Sequence, residues 1–409
     1  MFLPRRGRVL VLDGGSQSSL SVLSSLGSHG VPLDVGALEP GSLGSHSRYV
    51  DEEVVYPDPA TEPEAFTDAV ETAVEATEYF AVIPTRDDTT TVLSRHKDRL
   101  EATGTLVGVE DWSRFRRVAD KARTVDLAAD LSVPMPETWR PESPDAVAAI
   151  ADTVTYPVLV KPRSKHVADD QGRLYTHEVS DRDYAHSPAD LRSTYERLAT
   201  ADPGMRATPP LVQAVVDGET VTTVGVADDG ELVATFQELR LRTTPHSGGS
   251  STLVRGIHDD RMRAYARELV GELGWTGPLQ VEFMRTQEDC YLIEINGRYW
   301  GSLPLATAAG VDLPWLHLGV LAGERPTVDG GANRRVVQQR LLYGDLKWLA
   351  ERLADGHPEA LWEFLTPLAT TDKPFVRPDD PATTVAALRE ITSVGADALA
   401  DAIRDRLDR

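Results

Sequence analysis

Cysteine is almost missing from this chain: Cys290 is the only one in 409 residues. A disulfide within the chain and a zinc site built on several thiolates are thereby excluded, and Cys290 reads as a small strand residue. Long apolar runs are missing too. The adjacent Arg5 and Arg6 precede only the short run from Val9 to Leu12, too short for the apolar core of a signal peptide. No stretch reaches the ~18 apolar residues of a membrane helix, so the expected location is the cytoplasm. Basic residues are in deficit, 42 against 64 acidic, for a formal charge of -22. The average field therefore repels nucleic acid and anionic membranes, and neither is expected as a partner, although a local basic pocket is compatible with phosphates.

What is present is a folded chain of several domains. Hydrophobic residues make up 41% and low-complexity runs and internal repeats are absent, which argues against disorder. At roughly 150 residues per domain the length predicts two or three domains. Only six of the basic residues are lysine. An acid-rich, lysine-poor surface suits a halophilic, high-salt cytoplasm, where counterions screen self-repulsion.

In the first 110 residues short apolar runs alternate with helical patterns. The run at 9–12 ends in Asp13-Gly14-Gly15, Leu20, Leu23 and Leu26 then repeat at helical spacing, and strands are expected at 33–38, 53–56 and 80–83. That is the pattern of a doubly wound, parallel α/β domain. Asp13-Gly14-Gly15-Ser16 lacks the G-x-G-x-x-G spacing of a dinucleotide turn, and a structural or substrate-facing turn is expected there. Arg86, Asp87 and Asp88 follow a strand, where open sheets bind ligands; capping of the next helix is the alternative.

Farther along, Phe115, Val118, Ala119, Ala122, Val125 and Ala129 predict one helix stopped by Val133-Pro134-Met135-Pro136. Lys161 closes the buried strand of Tyr156-Pro157-Val158-Leu159-Val160-Lys161. Residues 211–216 read as a strand and Asp217-Gly218 as a hairpin signal leading into 221–226. Asp228-Asp229-Gly230 turns the chain again into 232–239, so this region is expected to be antiparallel. Met262, Ala266, Leu269, Val270 and Leu273 form one helical face ending at Gly274, and strands follow at 279–284 and 291–296. Beyond about 326 the pattern is mainly helical, with Leu346, Leu349 and Leu353 in one segment and Leu399, Ile403 and Leu407 in the last. A Pro/Asp-rich connector lies at 374–381, and the tail reads as a packing or oligomerisation element.

The chemistry concentrates in the two strands after Gly274. Residues two apart on a strand share a face, so Glu294 and Asn296 point together while Ile293 and Ile295 point away. Glu282 sits between apolar neighbours on the preceding strand, and a short antiparallel return brings it beside Glu294. Two carboxylates about 4 Å apart repel by roughly 4 kcal/mol at an effective dielectric near 20, and a cation between them removes that cost. Magnesium suits such a set of hard oxygens, whereas zinc favours His or Cys ligands that this strand lacks. Solvated strand carboxylates are the alternative.

Through these strands and the segments that precede them, the sequence resembles the ATP-grasp superfamily, and within it the carboxylate-amine ligases related to D-aspartate ligase and to the large chain of carbamoyl-phosphate synthase. The resemblance runs through about residues 9–325 and rests on the order and spacing of Asp120-Lys121, Pro157-Val158-Leu159-Val160-Lys161-Pro162, Gln213 to Glu219, Gly277 to Phe283 and Glu294-Ile295-Asn296-Gly297-Arg298. It implies an α/β and α+β fold: an N-terminal α/β domain at 1–115, an ATP-grasp domain at 116–325 with an antiparallel lid at about 133–216, and a helical C-terminal extension at 326–409.

The resemblance also implies roles. Lys121 and Lys161 face the ATP phosphates. Gln213, Ala214, Val215 and Val216 form the adenine hinge, with Gln213 standing where many relatives have Glu, and Glu219 takes the ribose. Glu282, Glu294 and Asn296 hold Mg2+, with Mn2+ as an alternative, and Arg298 stabilises the transferring phosphoryl group. Gly248 and Gly249 approach the substrate closely, while Arg240, Arg255 and, beside them, Arg242 hold its carboxylate. One departure is clear: the loop from Arg163 to Gly172 has a single glycine where many relatives have several, which implies a differently shaped phosphate flap to which Lys165 adds charge.

The implied reaction is ATP-dependent ligation of a small carboxylate to a small amine through an acyl phosphate, releasing ADP and phosphate; a homodimer is compatible with it. No side-chain nucleophile is required, and the sequence shows no nucleophile elbow. Two other readings stay open from the sequence: a nicotinamide-dependent dehydrogenase, which explains nothing after residue 115, and a regulatory protein that binds ATP without turnover.

Overall fold

The run from Val9 to Val11 has no exposed side chain and needs neighbours on both sides. In the computed structural model, which describes residues 7–244, 249–324, 337–366, 371, 374 and 379–389, it lies at the middle of a five-stranded sheet. The strands are β1 (Arg8–Val11), β2 (Leu33–Ala37), β3 (Val50–Val55), β4 (Tyr79–Ile83) and β5 (Leu106–Val107), in the order β3-β2-β1-β4-β5 and parallel throughout. Strand order reverses between β1 and β4, the position where open sheets place ligands.

At that reversal Asp13 adopts a left-handed backbone with φ 66. Its buried carboxylate accepts from the amides of Thr85 (2.8 Å) and Arg86 (2.9 Å), the hydroxyl of Thr89 (2.9 Å) and that of Tyr56 (3.2 Å). Ser16 caps the helix Gln17–Ser28 by accepting from the Ser19 amide at 3.0 Å. The glycine turn is therefore structural. Within it the Gly14 amide donates to the Gly36 carbonyl at 2.9 Å and the Ser16 amide to the Asp13 carbonyl at 2.7 Å, so these amides are already engaged where a dinucleotide phosphate would need them free, which weighs against the dehydrogenase reading.

The predicted single helix after residue 112 is two, Trp112–Ala119 and Lys121–Asp130. Asp120 breaks it with an extended backbone (φ -97, ψ 107), caps the second helix through the Ala122 amide, and binds Arg163 through both carboxylate oxygens at 2.9 and 2.5 Å. Of the predicted stripe Phe115, Val118 and Ala122 are buried, Ala119 and Val125 are half-buried and Ala129 is exposed, while Leu127 and Ala128, outside that stripe, join the core.

A small antiparallel sheet follows, built from β6 (Thr138–Trp139), β7 (Val158–Lys161), β10 (Tyr184–Ala185) and β11 (Leu211–Ala214) in the order β10-β7-β11-β6. Between β7 and β10 lies a hairpin of β8 (His166–Ala168) and β9 (Leu174–Thr176). The glycine-poor segment after Lys161 thus forms regular structure. Leu174 anchors it on the N-terminal domain, donating from its amide to the Ala60 carbonyl at 2.8 Å and joining the core of Tyr56 and Phe66.

The third sheet contains β12 (Glu219–Asp228), β13 (Glu231–Thr244), β14 (Ser250–Gly256), β15 (Gly277–Arg285), β16 (Cys290–Asn296) and β17 (Gln338–Arg340), in the order β16-β15-β12-β13-β14-β17. Asp229 and Gly230, with φ 46 and 82, make the expected hairpin between β12 and β13. Asp217-Gly218 makes none. β11 pairs within the small sheet and β12 within the large one, so these residues connect two sheets, and the turn-forming dipeptide serves a change of direction instead of a strand pairing.

One face of the large sheet, with Val221, Leu239, Val281 and Phe283, packs on the helix Asp260–Leu273, whose predicted stripe is buried and which Gly274 ends at φ 56. The opposite face is divided. Its apolar part, Val224, Val226 and Phe236, joins a core with the helices Leu303–Ala308 and Leu313–Leu321, and its polar part, Thr222, Glu238 and Glu282, begins where those helices end.

The helix Leu342–Ala354 packs across β13 and β14. Arg242 binds Asp345 at 3.0 Å and stacks over Trp348, and Arg340 also pairs with Asp345. Arg242 is therefore a packing residue, not a substrate ligand. The predicted segment at 399–407 and residues 375–378 of the connector lie outside the described residues. No helix among the described residues is long and apolar enough to cross a membrane.

Candidate active site

Strand register assembles the acidic group. Glu282 pairs with Glu294 across β15 and β16 and with Thr222 on β12, which in turn pairs with Glu238 on β13. Partners in antiparallel strands share a face, so these four side chains form one row across the sheet. Asn296 lies on the same face two residues after Glu294. Its Nδ2 donates to Glu294 Oε1 at 3.1 Å, Gln280 Oε1 at 3.2 Å and Glu282 Oε1 at 3.4 Å, so the predicted two carboxylates and one amide do meet.

The cations come from the other side of the cleft. On β7, Val158 and Val160 enter the small sheet's core, which by alternation turns Leu159 and Lys161 toward the large sheet. Lys161 is 3% exposed, and its pKa falls to about 7 because burial and the neighbouring Lys121 both oppose its charge, with Glu294 and Glu282 acting the other way. Lys121 Nζ binds Glu294 Oε2 at 3.0 Å. Its position is set by the Asp120–Arg163 bidentate pair and by its own amide, which donates to the Arg163 carbonyl at 2.7 Å. Burial alone would raise the Glu294 carboxyl, but Lys121, Asn296 and Lys161 together hold it well below the usual carboxylate range. Glu282 moves the other way: burial raises it, against the guanidinium of Arg240 that pairs with it.

Arg298 lies two residues past the end of β16. Its Nε donates to Asp87 Oδ1 at 2.5 Å and its Nη1 to the Tyr299 carbonyl at 2.6 Å. Asp87 opens the helix Asp87–Arg95, and Lys165 lies 3.9 Å from its other oxygen. The Arg86–Asp88 loop thus reaches the site through Asp87, while Asp88 binds Arg86 and the Thr89 amide locally. Tyr299 rests in turn on fully buried His317, hydroxyl to Nδ1 at 2.9 Å.

At the other end of the cleft a cavity of about 850 Å³ opens between Ala214–Glu219 and the β15–β16 turn, with Arg285 and Tyr291 on its far wall. Neither the lysines nor the carboxylate row lines it. Gln213 is held inside the small sheet, its side-chain amide donating to Thr138 Oγ1 at 2.9 Å, so the backbone that faces this cavity begins at Ala214. Val215 is exposed, and Glu219 is paired with Arg285 at 2.8 Å.

The substrate-side residues are dispersed. Arg240 reaches Glu282, but Arg255 is exposed and pairs with Leu239, on the face opposite Glu238 and Arg240. Register therefore turns Arg255 away from the carboxylate row. Gly249 precedes β14, and Gly248 lies outside the described residues.

Sequence reasoning missed Glu238, the most deeply buried carboxylate of the row. It is 1% exposed, burial pushes its pKa up to about 7, and Ser302 Oγ donates to its Oε1 at 2.6 Å. A signal existed, since Phe236, Glu238 and Arg240 alternate on one face of a strand flanked by apolar neighbours. The sequence places Asp87 in a loop after a strand and carries no signal of its link to Arg298.

Among the described residues no group of three or more His, Cys, Asp and Glu side chains is clustered as a metal site. The donor set here is instead two carboxylates and an amide, bridged by Asn296. That set fits a hard divalent cation: turning the Asn296 amide over exchanges a donor for a third oxygen ligand.

Comparison with known proteins agrees with this geometry. The model of the family described as ATP-grasp in the biosynthetic pathway with Ter operon matches residues 207–341. The carbamoyl phosphate synthase large chain of Thermus thermophilus is 28% identical over 241 residues, which is 55% of this chain and 21% of that protein. The chain thus spans about a fifth of the length of that relative. Among solved structures, the biotin carboxylase of Campylobacter jejuni superposes with a TM-score of 0.62 at 15% identity, covering 81% of this chain and 73% of that one. The L-amino acid ligase of Bacillus licheniformis gives 0.55 at 15% identity, covering 78% and 75%. Three sheets in this order, with lysines facing a carboxylate row, are the ATP-grasp fold, and over residues 207–341 the chain is similar to an ATP-grasp family.

Proposed function

We propose that the protein is an ATP-dependent carboxylate-amine ligase. The observation that carries this reading is the convergence of Lys121 and Lys161 with Glu282, Glu294 and Asn296 across one cleft. Two ammonium groups offset part of the negative charge of a triphosphate. When magnesium is bound, Glu282, Glu294 and the Asn296 oxygen would hold it, and it would neutralise charge on the phosphates.

A carboxylate resists amines because its leaving group would be oxide. Transfer of the γ-phosphoryl group makes a bond from the carboxylate oxygen to phosphorus and breaks the one to ADP. The amine then displaces phosphate from the acyl carbon and loses a proton, giving the amide. Lys161 holds the phosphates and Arg298, steered by Asp87, meets the charge on the transferring group. The backbone from Ala214 to Val216 would face the adenine and Glu219 the ribose, exchanging Arg285 for hydroxyl groups. Arg240 is the cation placed to take the acid's carboxylate.

The test is ADP release by the purified protein with magnesium-ATP and pairwise mixtures of small carboxylates and amines, with the conjugate identified by mass spectrometry. ADP release that requires both partners supports the ligase. Tight ATP-analogue binding without release for any pair would favour a regulatory ATP-binding protein.

A further inference from the structure

The hairpin after Lys161 carries a histidine to the junction of three parts of the molecule. In β8 and β9 His166 pairs with Thr176, Val167 with Tyr175 and Ala168 with Leu174. Val167 is buried in the core of the small sheet, whereas Ala168 and Leu174 pack with the N-terminal core of Tyr56 and Phe66. Alternation therefore puts His166 on the face that meets the N-terminal domain. The helix Asp87–Arg95 begins there. Lys165, beside His166 in the chain, lies 3.9 Å from Asp87 Oδ2, and Arg298 holds Asp87 Oδ1.

One nitrogen of the imidazole is engaged and the other is not. Nδ1 meets Thr176 Oγ1 at 3.0 Å, whereas Nε2 has no hydrogen-bond partner among the described residues, and the residue is only half-buried, so that atom is open to solvent. Asp87 and Asp88 face the ring from the helix, Arg298 from the segment after β16 and Lys165 from its own strand, with Glu178 taken up by Lys165 at 3.3 Å. Burial lowers the pKa of the ring, Asp87 and Asp88 oppose that, and Lys165 and Arg298 add to it; the outcome lies below the ordinary value, so the imidazole is neutral at pH 7.

Amide formation makes a demand that phosphoryl transfer does not meet. A primary amine is an ammonium ion near neutral pH and has no lone pair with which to attack. We infer that His166 is the general base of the second half-reaction, its Nε2 taking a proton from the incoming ammonium. This rests on the ligase reading and deepens it by naming the residue that acts on the amine. The freed lone pair bonds to the acyl carbon, the bond from that carbon to the phosphate oxygen breaks, and a second N–H proton leaves with the phosphate. Asp87 and Asp88 offset the charge of the imidazolium until it returns its proton to solvent. With Nδ1–H donating to Thr176, Nε2 is the nitrogen that carries the lone pair.

The test compares two nucleophiles in the full chain with magnesium-ATP. Short mono- and dicarboxylic acids and the common L-amino acids are each supplied with hydroxylamine, which is already a neutral base at pH 7 and traps an acyl phosphate as a hydroxamate. Each acid that is trapped is then supplied with ammonia and a panel of primary amines. His166→Gln is expected to keep hydroxamate formation within about threefold of the wild type and to lose about a hundredfold or more in amide formation at pH 7. That deficit should shrink about tenfold per pH unit as the free-amine fraction rises. His166→Asn, whose amide can still meet Thr176, gives the same readout if the Gln variant does not fold. Equal losses with both nucleophiles, unchanged amide formation, or a deficit that ignores pH would overturn the inference. A wild type that makes hydroxamate but no amide with any amine would do so too, since the activated acid then meets no ammonium. A wild type that makes no hydroxamate with any acid would instead sink the ligase reading.

Discussion

His317 offers a quantitative test of how the site's supporting loop is held. Its side chain is completely buried, its one hydrogen bond runs to the Tyr299 hydroxyl at 2.9 Å, and its Nε2 has no partner among the described residues. Burial first, and Lys97 second, lower its pKa to about 3. In the unfolded chain the ordinary value is about 6.5. Between these values the unfolded state binds a proton that the folded state refuses. Stability is therefore unaffected above about pH 6.5, falls as the pH drops below it, and levels off near pH 3. The slope is at most ~1.4 kcal/mol per pH unit, so the loss at pH 5 is about 2 kcal/mol and the full loss is on the order of 5 kcal/mol. Denaturant unfolding of the wild type and of His317→Gln at pH 7 and pH 5 isolates the effect from other titrating groups. The wild type should lose about 2 kcal/mol more than the variant between the two pH values. An equal loss in both proteins would refute the assignment of a neutral, buried imidazole beneath Tyr299.

Other consequences follow from the same geometry. Lys161→Met should weaken ATP-analogue binding by roughly tenfold to a hundredfold, the value of one or two charge-assisted hydrogen bonds, while the melting temperature without nucleotide stays level or rises because a desolvated charge beside Lys121 is gone; calorimetry and a melt read the two halves. Asp87→Asn should lower kcat by about tenfold, since Arg298 loses its charged anchor, and shift nucleotide affinity by less than about threefold; equal losses in both would make Asp87 a general structural residue. A surface with 64 acidic against 42 basic residues predicts a higher melting temperature in molar KCl than in dilute buffer, where self-repulsion is unscreened. Greater stability in dilute buffer would contradict the high-salt reading.

Much of this arrangement is legible in the sequence. Buried strands such as 9–12 and 80–83 identify themselves as continuous apolar runs, and the helix 260–273 carries its stripe and its glycine stop in plain view. Alternation alone put Glu294 beside Asn296. What the sequence hides is partnership. Asp217-Gly218 looks like a hairpin turn because local turn chemistry is the same whether the next strand folds back or enters another sheet. Asp120 sits inside an unbroken helical stripe, and only its contact with Arg163 shows why the helix stops there. Arg240, Arg242 and Arg255 are indistinguishable as residue types. Register and the position of Asp345 give them three fates: one at the carboxylate row, one in packing, one on the opposite face.

The central claim is that the carboxylate row and the two lysines together hold nucleotide phosphates through a divalent ion. A crystal grown with an ATP analogue and manganese in place of magnesium tests it most directly, because the metal's anomalous signal locates the ion independently of the protein. The account predicts a peak within ordinary coordination distance of Glu282, Glu294 and the Asn296 oxygen, with the terminal phosphates on Lys121 and Lys161. A nucleotide bound with its metal away from Glu282 and Glu294 would contradict it.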